Sequence, residues 1–353
     1  MQKDIKKYKF IDLFAGIGGF RLALESVGLE CVYSSEWDKF AQETYKNNFG
    51  ETPDGDITKV DEKNIPGHNI ICAGFPCQAF SISGKQKGFE DTRGTLFFDI
   101  IRIAKYHKPE ILFLENVKNL AKHKNGETLR VIESTLDEIG YKVFNKVLNA
   151  SHYGSPTSRE RIYFVCFRKD LNINHFDFPK PIFSNIKLSD ILQDDEHTKK
   201  YIIKRNDIKI NKNKPKIITD IFGNKALKPI RIGTINNGGQ GERIYSTEGH
   251  AITLSAYGGG AAGKTGAYLA NGNIRKLSPR ECARVMGFPE TFKIPQSDHQ
   301  AYKQFGNSVV VPVLIAISNQ IIEKINNNIW TTEKNPSLLD PTLQRAVSRM
   351  RAA

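Results

Sequence analysis

Cys77 stands between Pro76 and Gln78, where an apolar run, NIICAGF (69–75), gives way to a glycine-studded basic loop, SISGKQKGFEDTRG (81–94). A thiol at such a junction is either a packed core group, since free cysteines are among the most buried residues, or a nucleophile at the mouth of a sheet. Cys72, inside the run, suits the buried role better. Glu115 closes a second apolar run, ILFLEN (111–116), so a carboxyl and a thiol fall at the carboxyl ends of two strands. Upstream, FAGIGG (14–19) joins a strand to a helix. Its small residues admit a ligand close to the backbone, and a helix N-terminus favours polar or anionic groups. Glu36 ends CVYSSE (31–36), eighteen residues beyond Gly18. Nucleotide-binding α/β folds place the acid that holds ribose hydroxyls there. Trp37 follows, suited to lie against an adenine, and Asp56 in GDIT (55–58) can accept from an exocyclic amine. The three together point to an adenosine-containing cofactor. A dehydrogenase is the rival reading, but GxG is only part of the GxGxxG fingerprint, and no hydride-transfer pair accompanies it.

These residues need a sheet to position them, and the first 170 residues supply the pattern. KFIDLF (9–14), CVYSSE, NIICAGF, ILFLEN and RIYFVCF (161–167) read as strands. Between them, 19–28, 38–49, 94–107 and 126–140 carry helical periodicity. Alternation of this kind predicts an α/β domain with a mostly parallel sheet, whose carboxyl edge gathers Cys77, Glu115 and the adenosine pocket. Past about residue 188 lysine, asparagine and glycine dominate, predicting loops over a smaller, irregular β-rich region. Helix returns at SPRECARVMG (278–287), with Ser278-Pro279 as N-cap and first residue. The apolar stretch VVVPVLIAISNQIIEKI (309–325) is expected to close the first domain's sheet, making that domain discontinuous. The expected division is a catalytic domain of 1–188 and 304–328, an inserted domain of 189–280, a hinge of 281–303 and a tail of 329–353. In the tail Asp340-Pro341 suggests a short helix start.

The 353 residues carry a net charge of +13, with 39% hydrophobic and 25% charged residues. Between Lys199 and Arg231 eleven basic residues face two acids, so this window holds +9 of the total. Such a segment suits a polyanion, because phosphate contacts release condensed counterions; a merely solvated lysine-rich surface is the plainer alternative. No run approaches the roughly 20 apolar residues that span a bilayer, and no apolar stretch precedes the first strand as a signal peptide requires. Five widely spaced cysteines without a CxxC pair read as free thiols in a reducing cytosol, with no metal-ligand spacing. Nothing specifies a symmetric interface, which leaves a monomer as the default.

FAGIGG, Glu36, GDI, GFPCQ (74–78), ENV (115–117), RERIY (159–163) and QFGNSV (304–309), in this order and spacing, resemble the bacterial DNA (cytosine-5)-methyltransferase family over residues 9–325. The resemblance implies a Rossmann-like domain that binds S-adenosylmethionine, with an inserted target-recognition domain. It implies a duplex DNA substrate whose cytosine is extruded, since the reacting carbon is unreachable inside the stack. By the same resemblance Cys77 adds to cytosine C6, Glu115 hydrogen-bonds N3 and the 4-amino group, and Arg159 and Arg161 hold the base carbonyl and favour the thiolate. Cofactor contacts carry over to Phe14, Gly16, Gly18, Glu36, Trp37, Asp56, Ile57, Pro76, Asn307 and Val309. DNA contacts carry over to Ser83, Gln240, Arg243, Thr253 and Tyr257. GGQGERIYS (238–246) and ITLSAYGGG (252–260) resemble the segments of GCGC-specific members, implying methylation of the internal cytosine and a cognate restriction endonuclease as functional partner. The family has Gln where this chain has Thr157, a departure expected to tune the site rather than disable it. A tRNA substrate, as in one branch of the family, and a catalytically inactive DNA-binding protein are the alternatives. The intact Cys77, Glu115, Arg159 and Arg161 set argues against the second.

Overall fold

The computed structural model describes residues 8–76, 96–182, 186–211 and 227–334, with side chains as far as residue 326. Five strands match the sequence reading to within a residue at each end: β1 (Lys9–Leu13), β2 (Glu30–Ser35), β3 (Ile70–Gly74), β4 (Ile111–Val117) and β6 (Glu160–Arg168). A further strand, β5 (Tyr141–Asn149), was not anticipated. YKVFNKVLN mixes lysine and asparagine among its apolar residues, and a half-exposed edge strand needs no stronger pattern. The sheet order is β2-β1-β3-β4-β6-β5. β2, β1, β3 and β4 are parallel neighbours, while β6 runs antiparallel between β4 and β5.

Side chains alternate across this sheet, as the pleat requires. Phe10, Cys72 and Phe113 point to one face, and Ile11, Ile71 and Leu112 to the other. α1 (Gly19–Ser26) packs on the first face; α3 (Leu96–His107) and α4 (Glu127–Glu138) cover the second. α2 (Lys39–Phe49) follows β2 and is capped by Asp38, whose carboxylate accepts from the backbone N–H of Phe40 and Ala41.

The apolar stretch near the C-terminus adds no strand to the sheet. It forms α8 (Val311–Lys334), which packs against α1. Val313, Leu314, Ile317, Ile321 and Ile325 are buried at helical spacing. A run rich in Val and Ile is ambiguous between strand and buried helix, and its length should have decided for helix. The expected tail helix at Asp340-Pro341 lies outside the described residues.

The middle of the chain begins with a single turn, α5 (Asp195–Thr198), and builds a second sheet ordered β11-β10-β9-β8-β7. Its strands are β7 (Ile208–Ile210), β8 (Ile230–Ile235), β9 (Arg243–Ser246), β10 (Ala267–Ala270) and β11 (Asn273–Arg275). Ile235, Ile244, Ala262 and Ala267 form its small core. The glycines here permit backbone-to-backbone packing: a Cβ on Gly241 would lie 1.9 Å from the Gly259 carbonyl, and one on Gly258 would lie 1.7 Å from that of Gly263. Two helices, α6 (Pro279–Met286) and α7 (Asp298–Asn307), then lead back to α8.

Candidate active site

The turn after β1 is shaped by positive φ at Phe14 (56°), Gly16 (56°) and Gly18 (85°). Only the two glycines adopt such angles without strain, and they serve different ends. A side chain on Gly18 would strike the Phe49 ring at 2.2 Å, so this glycine exists for packing against α2. No atom lies within 4 Å of where a Gly16 Cβ would stand. Gly16 instead donates its N–H to Glu36 Oε2 at 2.8 Å, while Glu36 Oε1 accepts from the Asp38 N–H at 2.8 Å. Glu36 is 8% exposed, and burial raises its pKa against these two backbone donors. The acid expected to hold a ribose thus also holds the turn.

Around it the expected cofactor residues gather from five segments. Trp37 is 77% exposed, its indole left largely uncovered among the described residues. Asp56 uses Oδ1 to accept from the Thr58 N–H and hydroxyl, bonds that hold its carboxyl below the usual range. Ile57 is buried in the core of the α3 face, and its carbonyl accepts from Arg102 Nη2 at 3.0 Å. Pro76 is exposed at the end of the β3 segment, and Asn307 is exposed at the end of α7. Val309 is buried and sits over the start of α1, its Cγ2 2.5 Å from the place of a Gly19 Cβ. An adenosine-bearing ligand fits this set: open space at Gly16, a fixed carboxylate beside it and an uncovered aromatic face.

At the same sheet edge, Glu115 of β4 pairs in register with Gly74 of β3, three residues before Cys77 in the chain. Cys77 and Ser83 themselves lie outside the described residues. Glu115 is 7% exposed, and Arg161 Nε approaches its Oε1 at 3.1 Å. Burial raises the Glu115 pKa, outweighing the lowering by Arg161 and Arg159. A carboxyl biased toward its protonated form and steadied by a guanidinium can donate a hydrogen bond to a ring nitrogen. Arg161 is tied by its own Nη1 to the Glu160 carbonyl.

Arg159 is placed differently. It is 3% exposed, and its two Nη atoms are committed to the carbonyls of Leu254, Gly306 and Ser308. Burial, with Arg161 nearby, brings its pKa down to about 9. Thr157 is buried, with its hydroxyl within reach of the carbonyls of Ala251 and Ile252 at 3.3 and 3.2 Å. The departure from the family's Gln thus falls where the turn before β6 meets the 251–254 segment.

The expected DNA-reading residues fall into two groups. Gln240 and Arg243 are exposed on the β8–β9 hairpin. Tyr257 is 79% exposed, whereas Thr253 turns its hydroxyl inward, donating to the Ser158 carbonyl at 2.8 Å. Sequence reasoning passed over Lys303, whose ammonium pairs with Asp38, beside Glu36 and Tyr257. Its only signal was a place one residue before QFGNSV.

A six-stranded sheet with β6 set antiparallel between β4 and β5, a glycine turn held by an acid, and a buried glutamate at the carboxyl edge define an α/β methyltransferase fold. The chain belongs to the C-5 cytosine-specific DNA methylase family, whose model matches residues 8–323; the enzyme is a DNA (cytosine-5)-methyltransferase. It is 59% identical over 324 residues to the type II methyltransferase M.HhaI of Haemophilus parahaemolyticus, covering 92% of this chain and 97% of that one. It is 44% identical over 330 residues to the type II methyltransferase M.HpaII of Haemophilus parainfluenzae, covering 91% of each. The Dnmt2 methyltransferase structure of S. pombe shares the fold at 18% identity with a TM-score of 0.65, covering 91% of this chain and 99% of that one.

Proposed function

We propose that this enzyme is the modification methyltransferase of a restriction–modification system, acting in the bacterial cytoplasm beside a cognate endonuclease. It methylates C5 of the internal cytosine of GCGC in duplex DNA after extruding that base. The observation that carries the chemistry is the buried Glu115, braced by Arg161 and in register with the strand that leads to Cys77. Bound S-adenosylmethionine supplies an electrophilic methyl group. Phe14, Gly16, Glu36, Trp37, Asp56, Asn307 and Val309 hold that donor, with Gly18, the Ile57 backbone and Pro76 shaping the pocket.

A free thiol, with a reference pKa of about 8.5, is mostly protonated at neutral pH, and the charge of Arg161 favours the Cys77 thiolate. Cys77 adds to cytosine C6, and the ring electrons move toward C5. Glu115 donates to N3 and so stabilises the negative charge that develops on the ring. C5 takes the methyl group with release of S-adenosylhomocysteine; loss of the C5 proton to a base and expulsion of the Cys77 sulfur then restore the aromatic ring.

The GCGC target rests on the resemblance of GGQGERIYS and ITLSAYGGG to the segments of GCGC-specific members. Arg243 pairs with guanine O6 and N7, Gln240 occupies the vacated stack, Ser83 approaches from the opposite groove, and Thr253 and Tyr257 hold the flipped strand. Residues 1–188 with 304–328 form the catalytic unit, 189–280 the recognition unit and 281–303 the hinge between them.

The test is methyl transfer from labelled S-adenosylmethionine to duplexes differing only at the GCGC site, by wild type and Cys77→Ala. Incorporation confined to GCGC and lost in the variant is expected. Cysteine-dependent incorporation at other sites overturns the target, and transfer to tRNA in place of duplex DNA overturns the substrate. Undiminished turnover by Cys77→Ala overturns the nucleophile.

A further inference from the structure

Arg159 is buried without a carboxylate of its own, because the nearby Glu115 is engaged by Arg161. Its two Nη donors are satisfied instead by carbonyls from two distant stretches of chain, Leu254 at 3.1 Å on one side, Gly306 at 3.2 Å and Ser308 at 2.8 Å on the other, while its buried Nε has no partner among the described residues. Those stretches touch backbone to backbone. A Cβ on Gly306 would lie 2.4 Å from the Ala256 nitrogen, so no side chain could stand between them. Beyond Ser308, Val309 rests on Gly19, the first residue of α1. A continuous line of contacts therefore runs from the loop bearing exposed Tyr257, across Arg159, to the turn at the cofactor pocket.

We propose that Arg159 is a positioning residue, a latch that couples the 253–257 loop to the 306–309 turn so that DNA engagement and cofactor retention strengthen each other. A buried charge is costly unless its donors are satisfied. Moving either stretch strips carbonyls from the guanidinium and leaves that cost unmet. A ligand that fixes one stretch therefore makes displacement of the other harder, and the effect is reciprocal. Thr157 reaches Ala251 and Ile252 on the same stretch but spans no second segment, so it fastens the loop without forming the latch. The proposal rests on the two ligands of the functional reading.

The experiment measures equilibrium binding of a GCGC duplex with and without saturating S-adenosylhomocysteine, and the converse, without any turnover. In wild type each ligand is expected to tighten the other by the same factor, roughly fivefold or more. Arg159→Lys keeps the charge, but a single ammonium cannot reproduce the planar fork; the factor should fall to about one. Thr157→Val should keep it. Hydrogen exchange on wild type provides the test if Arg159→Lys does not fold. S-adenosylhomocysteine alone should slow exchange in 253–257, and duplex alone should slow it in 306–309. Independent binding in wild type, absent cross-protection, or a folded Arg159→Lys that keeps the wild-type factor overturns the latch while leaving the methyltransferase reading intact. Failure to bind either ligand overturns both.

Discussion

At the scale of single residues, burial sets the chemistry of the acids. Glu115 is raised by burial despite two neighbouring arginines. Glu115→Gln keeps the shape but cannot supply the carboxyl proton, so the single-turnover methylation rate should fall roughly 10²–10³-fold, with duplex affinity little changed. An unchanged rate would remove Glu115 from the chemistry. Asp12 is a second case. It lies on β1, fully buried, and burial pushes its pKa to about 8 against the pull of the charge and backbone N–H of Arg21. A carboxyl raised in the folded state contributes stability that is complete below its unfolded pKa, about 4, and lost as pH climbs through the folded value. Wild type should therefore lose stability between about pH 4 and pH 8. Asp12→Asn should show a flatter dependence in thermal melts across that window. Parallel profiles for the two proteins would mean that Asp12 is ionised in the fold.

At the scale of elements, joints matter more than the elements themselves. α6 begins with a capping box in which the Ser278 hydroxyl accepts from the Glu281 N–H and Glu281 accepts from the Ser278 N–H. The same Glu281 carboxylate takes both Nη atoms of Arg275 at 2.8 Å and the N–H of Gln193 at 2.9 Å. Arg275 is 2% exposed and Glu281 fully buried, so this pair pins the end of the second sheet to α6. Breaking such a buried pair from one side costs about 3–5 kcal/mol, whereas replacing both partners by apolar groups is often far milder. Arg275→Met should lose stability of that order in denaturant titrations, and adding Glu281→Met should recover part of it. An additive double variant would mean that the two side chains act independently. β5 and α8 carry a related lesson. An edge strand with mixed polarity does not announce itself by local pattern, because its identity depends on what it packs against, whereas the Val/Ile-rich run is ambiguous in composition and only its length marks it as a helix.

For the whole molecule, charge and sequence reading should separate. Lys209 and Lys228 are exposed on and beside the second sheet, as is Arg243. Each phosphate contact contributes about 0.9 to the slope of log affinity against log salt. Lys209→Gln combined with Lys228→Gln should shallow that slope by up to about 2 while leaving GCGC preference unchanged. Arg243→Ala should instead reduce discrimination against altered sites by about 1–3 kcal/mol. Competition binding at several salt concentrations distinguishes the two. An equal loss on all duplexes for Arg243→Ala would make it a phosphate contact.

The sequence by itself determined the alternating α/β core, the glycine turn, the acid at Glu36 and the placing of Glu115 at a strand's carboxyl end. Each depends on local periodicity or on residue chemistry at short spacing. It could not say that Gly18 is kept free for Phe49, that Thr253 faces inward, or that Arg159 binds three carbonyls from two separate stretches 95 to 149 residues further along the chain. Those facts join residues separated by about thirty to 150 positions, and no local pattern encodes such a pairing. Tertiary structure decided them because a buried polar group must take whatever partner the packed chain brings within hydrogen-bond reach.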